Sequence, residues 1–190
     1  MKKKEPVEIE MEEPSREVVL FGDIDKEIVA DAASMILEIN EYDTRCEKVN
    51  PNHERVPINF HLCSEGGDVP AGGAMIGIIE MSKTPVHIHC YGSIMSIALS
   101  IAVSGHYVKA HRLCRFMYHE TSLIGEINTT LTNMNSDLKE TQLLDSIYDD
   151  HLIERTKLSR RKMNLSKKMK TDWYFSADEA LKYGIINEIM

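Results

Sequence analysis

The chain has little that would mark it as exported, membrane-embedded or polyanion-binding. Its four cysteines, Cys46, Cys63, Cys90 and Cys114, are widely spaced and form no C-x-x-C pair. That argues against a zinc knuckle and against a disulfide scaffold, and points to a reducing cytoplasmic interior. No apolar run suits a bilayer, because the longest, residues 94–103, contains two serines and falls well short of the ~20 residues a span needs. It reads as a buried helix. The lysines at positions 2–4 lead into Glu5, Pro6, Glu8 and Glu10 instead of an apolar stretch, so no export signal is expected. Positive charge is in deficit, with Lys plus Arg at 22 against 30 for Asp plus Glu and a net charge of −8. Nothing in the whole-chain charge asks for nucleic acid or anionic lipid. A G-x-x-x-x-G-K-[ST] phosphate loop is also missing, so this chain is not expected to bind ATP itself.

What is present is an ordinary globular mixture, 43% hydrophobic and 27% charged over 190 residues, enough for one domain with a proper core. Residues 1–17 are charged and lack an apolar period, and are expected to form a flexible acidic arm ahead of a single domain over residues 18–190. Residues 18–21 are a continuous apolar run closed by Gly22, the pattern of a strand buried on both faces. Asp25 then caps a helix through Ile28, Ala32, Ile36 and Ile39, and the polar residues 41–55 read as a long surface connection. Residues 56–62 read as strand, Gly66-Gly67 as a turn, and Pro70 as the first turn of a helix. Residues 85–90 are a third strand and 96–103 a third helix, followed by short strands at 107–110 and 115–118. Beyond Gly125 the apolar residues Ile127, Leu131, Met134 and Leu138, then Leu144, Tyr148 and Leu152, mark a long projecting helix or helix pair, and residues 159–170 a shorter one. Repeated strand–turn–helix units mean an α/β fold with a mainly parallel sheet.

In such sheets chemistry gathers at the carboxyl ends of the strands. Three features converge there: the glycine turn Gly66-Gly67, Ser96 at the start of the apolar helix, and His119 at the end of the strand 115–118. A serine at a helix N-terminus sits beside free backbone N–H groups that suit a developing oxyanion. It still needs a base, and the base needs an orienting acceptor; His119 and Asp172 could fill those roles. Ser93 also lies near the turn, but the spacing from Gly92 favours Ser96, while Ser100 and Ser104 read as small packing residues on one helix face. His87 and His89 share a strand face without a carboxylate at ligand spacing, so polar packing is preferred to a metal. Cys90 and Cys114 read as core fillers. The basic stretch from Lys157 through Arg160, Arg161, Lys162, Lys167, Lys168 and Lys170 has no interleaved aromatics, and a solvated or salt-bridged face is preferred to nucleic acid.

Ser64-Glu65-Gly66-Gly67-(x)3-Ala71-Gly72, Gly92-(x)3-Ser96, Met117-Tyr118-His119 and Asp172-(x)2-Phe175-Ser176-Ala177-(x)2-Ala180-(x)2-Tyr183-Gly184 resemble, in order and spacing, the proteolytic subunit family of the Clp protease (ClpP). The resemblance covers roughly residues 18–190. It implies a crotonase-like fold with a helical handle at about residues 123–157, and a serine endopeptidase acting on unfolded or extended polypeptide. It implies Ser96 as nucleophile, His119 as base and then acid, Asp172 as the orienting carboxylate, and backbone N–H groups of Gly67 and Ile97 as the oxyanion hole. Gly66 and Glu65 would lie along the substrate strand. No cofactor or metal is implied. Homo-oligomeric stacked rings are, with ATP used only by a separate AAA+ unfoldase. Against the family pattern, Cys63 and Glu65 replace Asn and Pro of the glycine turn, Ile97-Ala98 replace Met-Gly after the serine, and Glu120-Thr121 replace Gln-Pro after the histidine. The carboxylate of Glu65 leads us to expect an altered substrate preference, and the acidic arm replaces the apolar gate that meets an unfoldase.

Rival readings are a viral head-maturation protease of the same family working without an ATPase, a catalytically silent ring-forming scaffold, an acyl-CoA enzyme on the same fold, and a Ser-Lys dyad with Lys109 as base. The intact Ser96, His119 and Asp172 set disfavours the scaffold and the acyl-CoA enzyme.

Overall fold

A computed structural model describes residues 12–122 and 130–190 of the chain. The arm up to residue 11, and the beginning of the handle at Gly125 and Ile127, lie outside the described residues. The first repeat is β1 (Glu17–Phe21) and α1 (Lys26–Val49), the second β2 (Ile58–Ser64) and α2 (Val69–Met81), the third β3 (Val86–Met95) and α3 (Ile97–Val103). Two short strands follow, β4 (Tyr107–Ala110) and β5 (Arg115–Tyr118), then α4 (Leu131–Arg155), α5 (Arg160–Met169), β6 (Trp173–Ser176), α6 (Ala177–Lys182) and β7 (Glu188–Ile189).

The strands form one seven-stranded sheet ordered β1-β2-β3-β4-β7, with β5 branching from β3 and β6 pairing with β5. Every pairing is parallel except β5 with β6. The branch positions the site. The first half of β3 pairs with β4, Ile88 opposite Val108, whereas its last residues pair with β5, Ile94 opposite Phe116. Gly92, at φ +53, lies between these two halves, a backbone conformation that favours glycine. The expected mainly parallel α/β architecture is therefore present.

Burial alternates along the strands. Val18, Leu20, Phe60, Leu62, Ile88 and Cys90 are sealed in the core, but Val19 and Phe21 are 55% and 52% exposed. The strand expected to be buried on both faces is covered on one, and its continuous apolar run hides the alternation. On the uncovered side His61 stacks on His89 and on Tyr91, with ring centroids 5.2 and 5.8 Å apart. Burial, with Lys109 and His106 nearby, lowers the pKa of His87 from its usual value.

A second difference is larger. Residues 41–49, expected as surface connection, continue α1 to Val49. Asp43 explains it, being fully buried in a polar socket. Arg16 donates to both carboxylate oxygens at 3.1 and 2.7 Å, Thr84 Oγ1 donates at 2.6 Å, and His53 Nε2 lies 3.0 Å away. Arg16, expected within a flexible arm, is pinned by this pairing.

Among the described residues, the anchors of α4 lie in its C-terminal half. Leu152 is buried there, Tyr148 donates to the Val69 carbonyl at 3.3 Å, and Arg155 pairs with Glu80 at 2.7 Å. Residues 132–140 are exposed throughout.

Candidate active site

The site is built where β2, β3 and β5 end. Ser96 caps α3 at φ +55, a left-handed conformation that non-glycine residues rarely adopt. Its N–H donates to the Met117 carbonyl at 3.0 Å, which ties the serine to β5 just before His119. The result is a hydrogen bond of 2.8 Å between Ser96 Oγ and His119 Nε2. With the proton on Nδ1, Nε2 accepts from the hydroxyl, the polarity a general base requires.

The glycine turn lies against this pair. Gly66 and Gly67 have φ of +113 and +149, and a Cβ on Gly66 would sit 2.7 Å from Ser96 Cβ. A Cβ on Gly67 would collide with the backbone of Ile24. Only glycine therefore lets the turn approach so closely. The buried Ser64 hydroxyl takes the Gly66 N–H at 3.0 Å. Among the described residues, neither the Gly67 N–H nor the Ile97 N–H donates to a protein acceptor. Gly67 and Ile97 line one cavity with Ser96, and the Ile97 N–H is at the positive end of α3.

Ser96 and His119 open into a cavity of about 220 Å3 lined by Gly67, Val69, Ile97, Met117, Tyr148 and Leu152, with the exposed Glu65 at its edge. Ser100 also lines this cavity, although its position on the helix suggests only packing, and Ser104 donates to the Ser100 carbonyl at 2.8 Å.

Asp172 is placed differently. The antiparallel ladder of β5 and β6 ends at Tyr118 opposite Trp173, so Asp172 lies one step beyond it on the side of His119. It is exposed, and its carboxylate accepts from the Tyr174 hydroxyl at 3.4 Å. Among the described residues no hydrogen bond or ion pair joins it to His119. The structure thus brings Ser96, His119 and the two amides together and leaves Asp172 apart. Lys109 pairs with Glu188 at 3.2 Å on the β4 and β7 edge, whereas Ser96 bonds to His119.

Sequence reading missed a polar cluster on the cavity wall. Asp145 and Asp149, one turn apart on α4, both line it, and Lys167 of α5 bridges them. Their i, i+4 spacing on the handle was the available signal. Three cations of the basic stretch, Arg160, Lys162 and Lys167, find partners within the chain, while Lys157, Arg161, Lys168 and Lys170 are exposed. Arg160 pairs with Asp150, and Lys162 lies 3.8 Å above the Trp173 ring and donates to the Tyr183 hydroxyl at 2.7 Å. Cys90 and Cys114 are buried, and burial pushes the Cys114 thiol up to about 12.

The Clp protease family model matches residues 13–190. Among curated proteins, the chain is 32% identical over 145 residues to the "ATP-dependent Clp protease proteolytic subunit" of Deinococcus radiodurans, covering 74% of this chain and 67% of that one. Among solved structures it is similar to a point mutant of ClpP1 from Listeria monocytogenes, with a TM-score of 0.76, 22% identity and coverage of 92% and 91% of the two chains.

Proposed function

This chain belongs to the Clp protease family, and from that membership we propose that it is a serine endopeptidase cleaving extended polypeptide through Ser96, His119 and Asp172. The observation that carries the reading is the 2.8 Å contact of Ser96 Oγ with His119 Nε2 beside two amides that have no protein acceptor among the described residues. Ser96 Oγ attacks the scissile carbonyl while His119 Nε2 takes its proton, and the carbonyl oxygen turns toward the Gly67 and Ile97 N–H groups. The protonated imidazole then gives its proton to the leaving amine, and water repeats the sequence in reverse on the acyl-enzyme. Asp172, opposite His119 just beyond the strand ladder, needs a local shift to reach Nδ1. Gly66 and Glu65 lie along the substrate strand, and the Glu65 carboxylate favours substrates with a cationic side chain there. The protein works in the cytoplasm as a homo-oligomer of stacked rings without a cofactor, and ATP enters only through a separate AAA+ unfoldase.

The position of Asp172 favours one second reading, a ring-forming subunit whose site is silent at rest. Labelling with a fluorophosphonate distinguishes the two. Labelling of the wild type that is lost in Ser96→Ala and His119→Ala supports the protease, whereas an assembled wild-type particle that never labels supports the silent subunit. Asp172→Asn should slow acylation by ~100-fold or more; a wild-type rate would mean that Ser96 and His119 work without a carboxylate.

A further inference from the structure

The segment carrying His119 is held on both sides by one ion cluster. Tyr118, immediately before the histidine and 4% exposed, donates its hydroxyl to Asp149 Oδ1 at 2.7 Å. Thr121, two residues after it, donates its backbone N–H to Asp145 Oδ1 at 3.0 Å. The other oxygen of each carboxylate meets the same ammonium: Lys167 Nζ bonds Asp149 Oδ2 at 2.7 Å and Asp145 Oδ2. Arg160 approaches Asp149 at 4.0 Å from the surface side. Lys167 and Asp149 have side chains only 15% and 6% exposed, so neither charge is well served by water. Burial would discharge Asp145 and Lys167, yet their hydrogen bonds outweigh it, holding Asp145 below and Lys167 above their usual ranges.

We propose that Lys167 is a positioning residue for the protease reaction: by clamping Asp145 and Asp149 it fixes both flanks of His119 and so holds Nε2 on Ser96 Oγ. The proposal rests on the peptidase reading above. Two carboxylates one turn apart on α4 repel each other unless a cation lies between them. Without Lys167 they move apart, which loosens the acceptors that Tyr118 and Thr121 use. The imidazole then samples positions from which it cannot receive the Ser96 proton. Binding through the Gly66-Gly67 turn and α3 is affected less than the rate, because neither rests on the cluster, although Asp145 and Asp149 form part of the cavity wall. The clamp also acts while Asp172 lies outside hydrogen-bond reach of His119, and it adds to the tie between Ser96 and the end of β5 a constraint from α4 and α5.

The test is the maximum rate and the half-saturating concentration of phosphonylation of Ser96 by a fluorophosphonate, with loss of fluoride, for the assembled protein carrying Lys167→Met, Lys167→Arg or Tyr118→Phe. Lys167→Met should lower the maximum rate by ~100-fold, the scale of a small misplacement of a reacting group. Its half-saturating concentration should stay within ~3-fold, and Lys167→Arg should recover most of the rate. Tyr118→Phe, which deletes a single hydroxyl, should lower the maximum rate by ~10-fold with the particle intact. An unchanged maximum rate in a folded Lys167→Met protein overturns the proposal, and so does an unchanged rate in Tyr118→Phe if Lys167→Met does not fold. Should the wild type fail to label, the peptidase reading falls by itself, and hydrogen exchange at the Thr121 amide then decides the clamp. Faster exchange in Lys167→Met supports it, and equal exchange overturns it.

Discussion

Ser96 stands at φ +55 because the chain must leave β3 and enter α3 within one residue while aiming a hydroxyl at β5. A non-glycine residue held there stores of order 1–3 kcal/mol of strain. Gly66 supplies the room, since its absent Cβ would fall 2.7 Å from Ser96 Cβ. Gly66→Ala should therefore cost the reactivity of Ser96 as well as stability. Urea unfolding should show a loss of ~1–3 kcal/mol, while fluorophosphonate labelling of Ser96 slows by ~100-fold or more. Comparable small losses in both would mean that the turn relaxes away from the serine without harm. These positions were legible in the sequence because the backbone admits few residue types at them. Asp172 was legible as a residue type but not as a distance, since its separation from His119 turns on whether the β5 and β6 ladder gains one more pair. Lys167 was not legible at all. Within a run of cations nothing marks the one lysine that turns inward, and the acids that receive it come from a different helix.

α1 shows how an element can hide in plain composition. Its buried positions Val29, Ala32, Ile36 and Ile39 keep helical spacing, and the next on that face is Asp43. A charge thus occupies an apolar stripe and breaks the period, so the last turns read as loop. Burial raises the Asp43 pKa, but hydrogen bonds from Arg16, Thr84 and His53 outweigh it and hold the carboxyl well below its usual range. The unfolded chain titrates such a group near pH ~4. The stabilisation is therefore complete above that pH and is lost as the pH falls toward the depressed folded value. Asp43→Asn should destabilise the protein by about 3 kcal/mol at pH 7, because Arg16 is left partly buried without its partner. The difference between wild type and variant in urea unfolding should shrink steadily below pH ~4. A constant difference across that range would assign the loss to packing instead of charge.

The whole molecule is unfinished at α4. From Leu131 to Arg155 this helix is 25 residues long, about 37 Å at the usual rise, yet among the described residues the chain supports its second half alone. Residues 132–140 touch too little of the domain to be buried, and Met134 and Leu138, one turn apart, remain 38% and 47% exposed. A helical segment of this length gains little in water by itself, and in proteins packing supplies what propensity does not. Other copies of the same chain, meeting handle to handle between two rings, would cover Met134 and Leu138 together and explain why an apolar stripe survives so far from the core. The active site does not share this dependence within one subunit, since Ser96, His119, Gly67 and Ile97 come from elements packed on the sheet. Met134→Asp combined with Leu138→Asp should therefore halve the particle mass measured by light scattering and leave each ring closed. A particle of unchanged mass would place the contact between rings on another surface. Labelling by a small fluorophosphonate should persist in the separated rings if the site is complete in each subunit. Its loss together with the mass would show that α4 passes order from the ring contact, through Asp145 and Asp149, to the segment that holds His119.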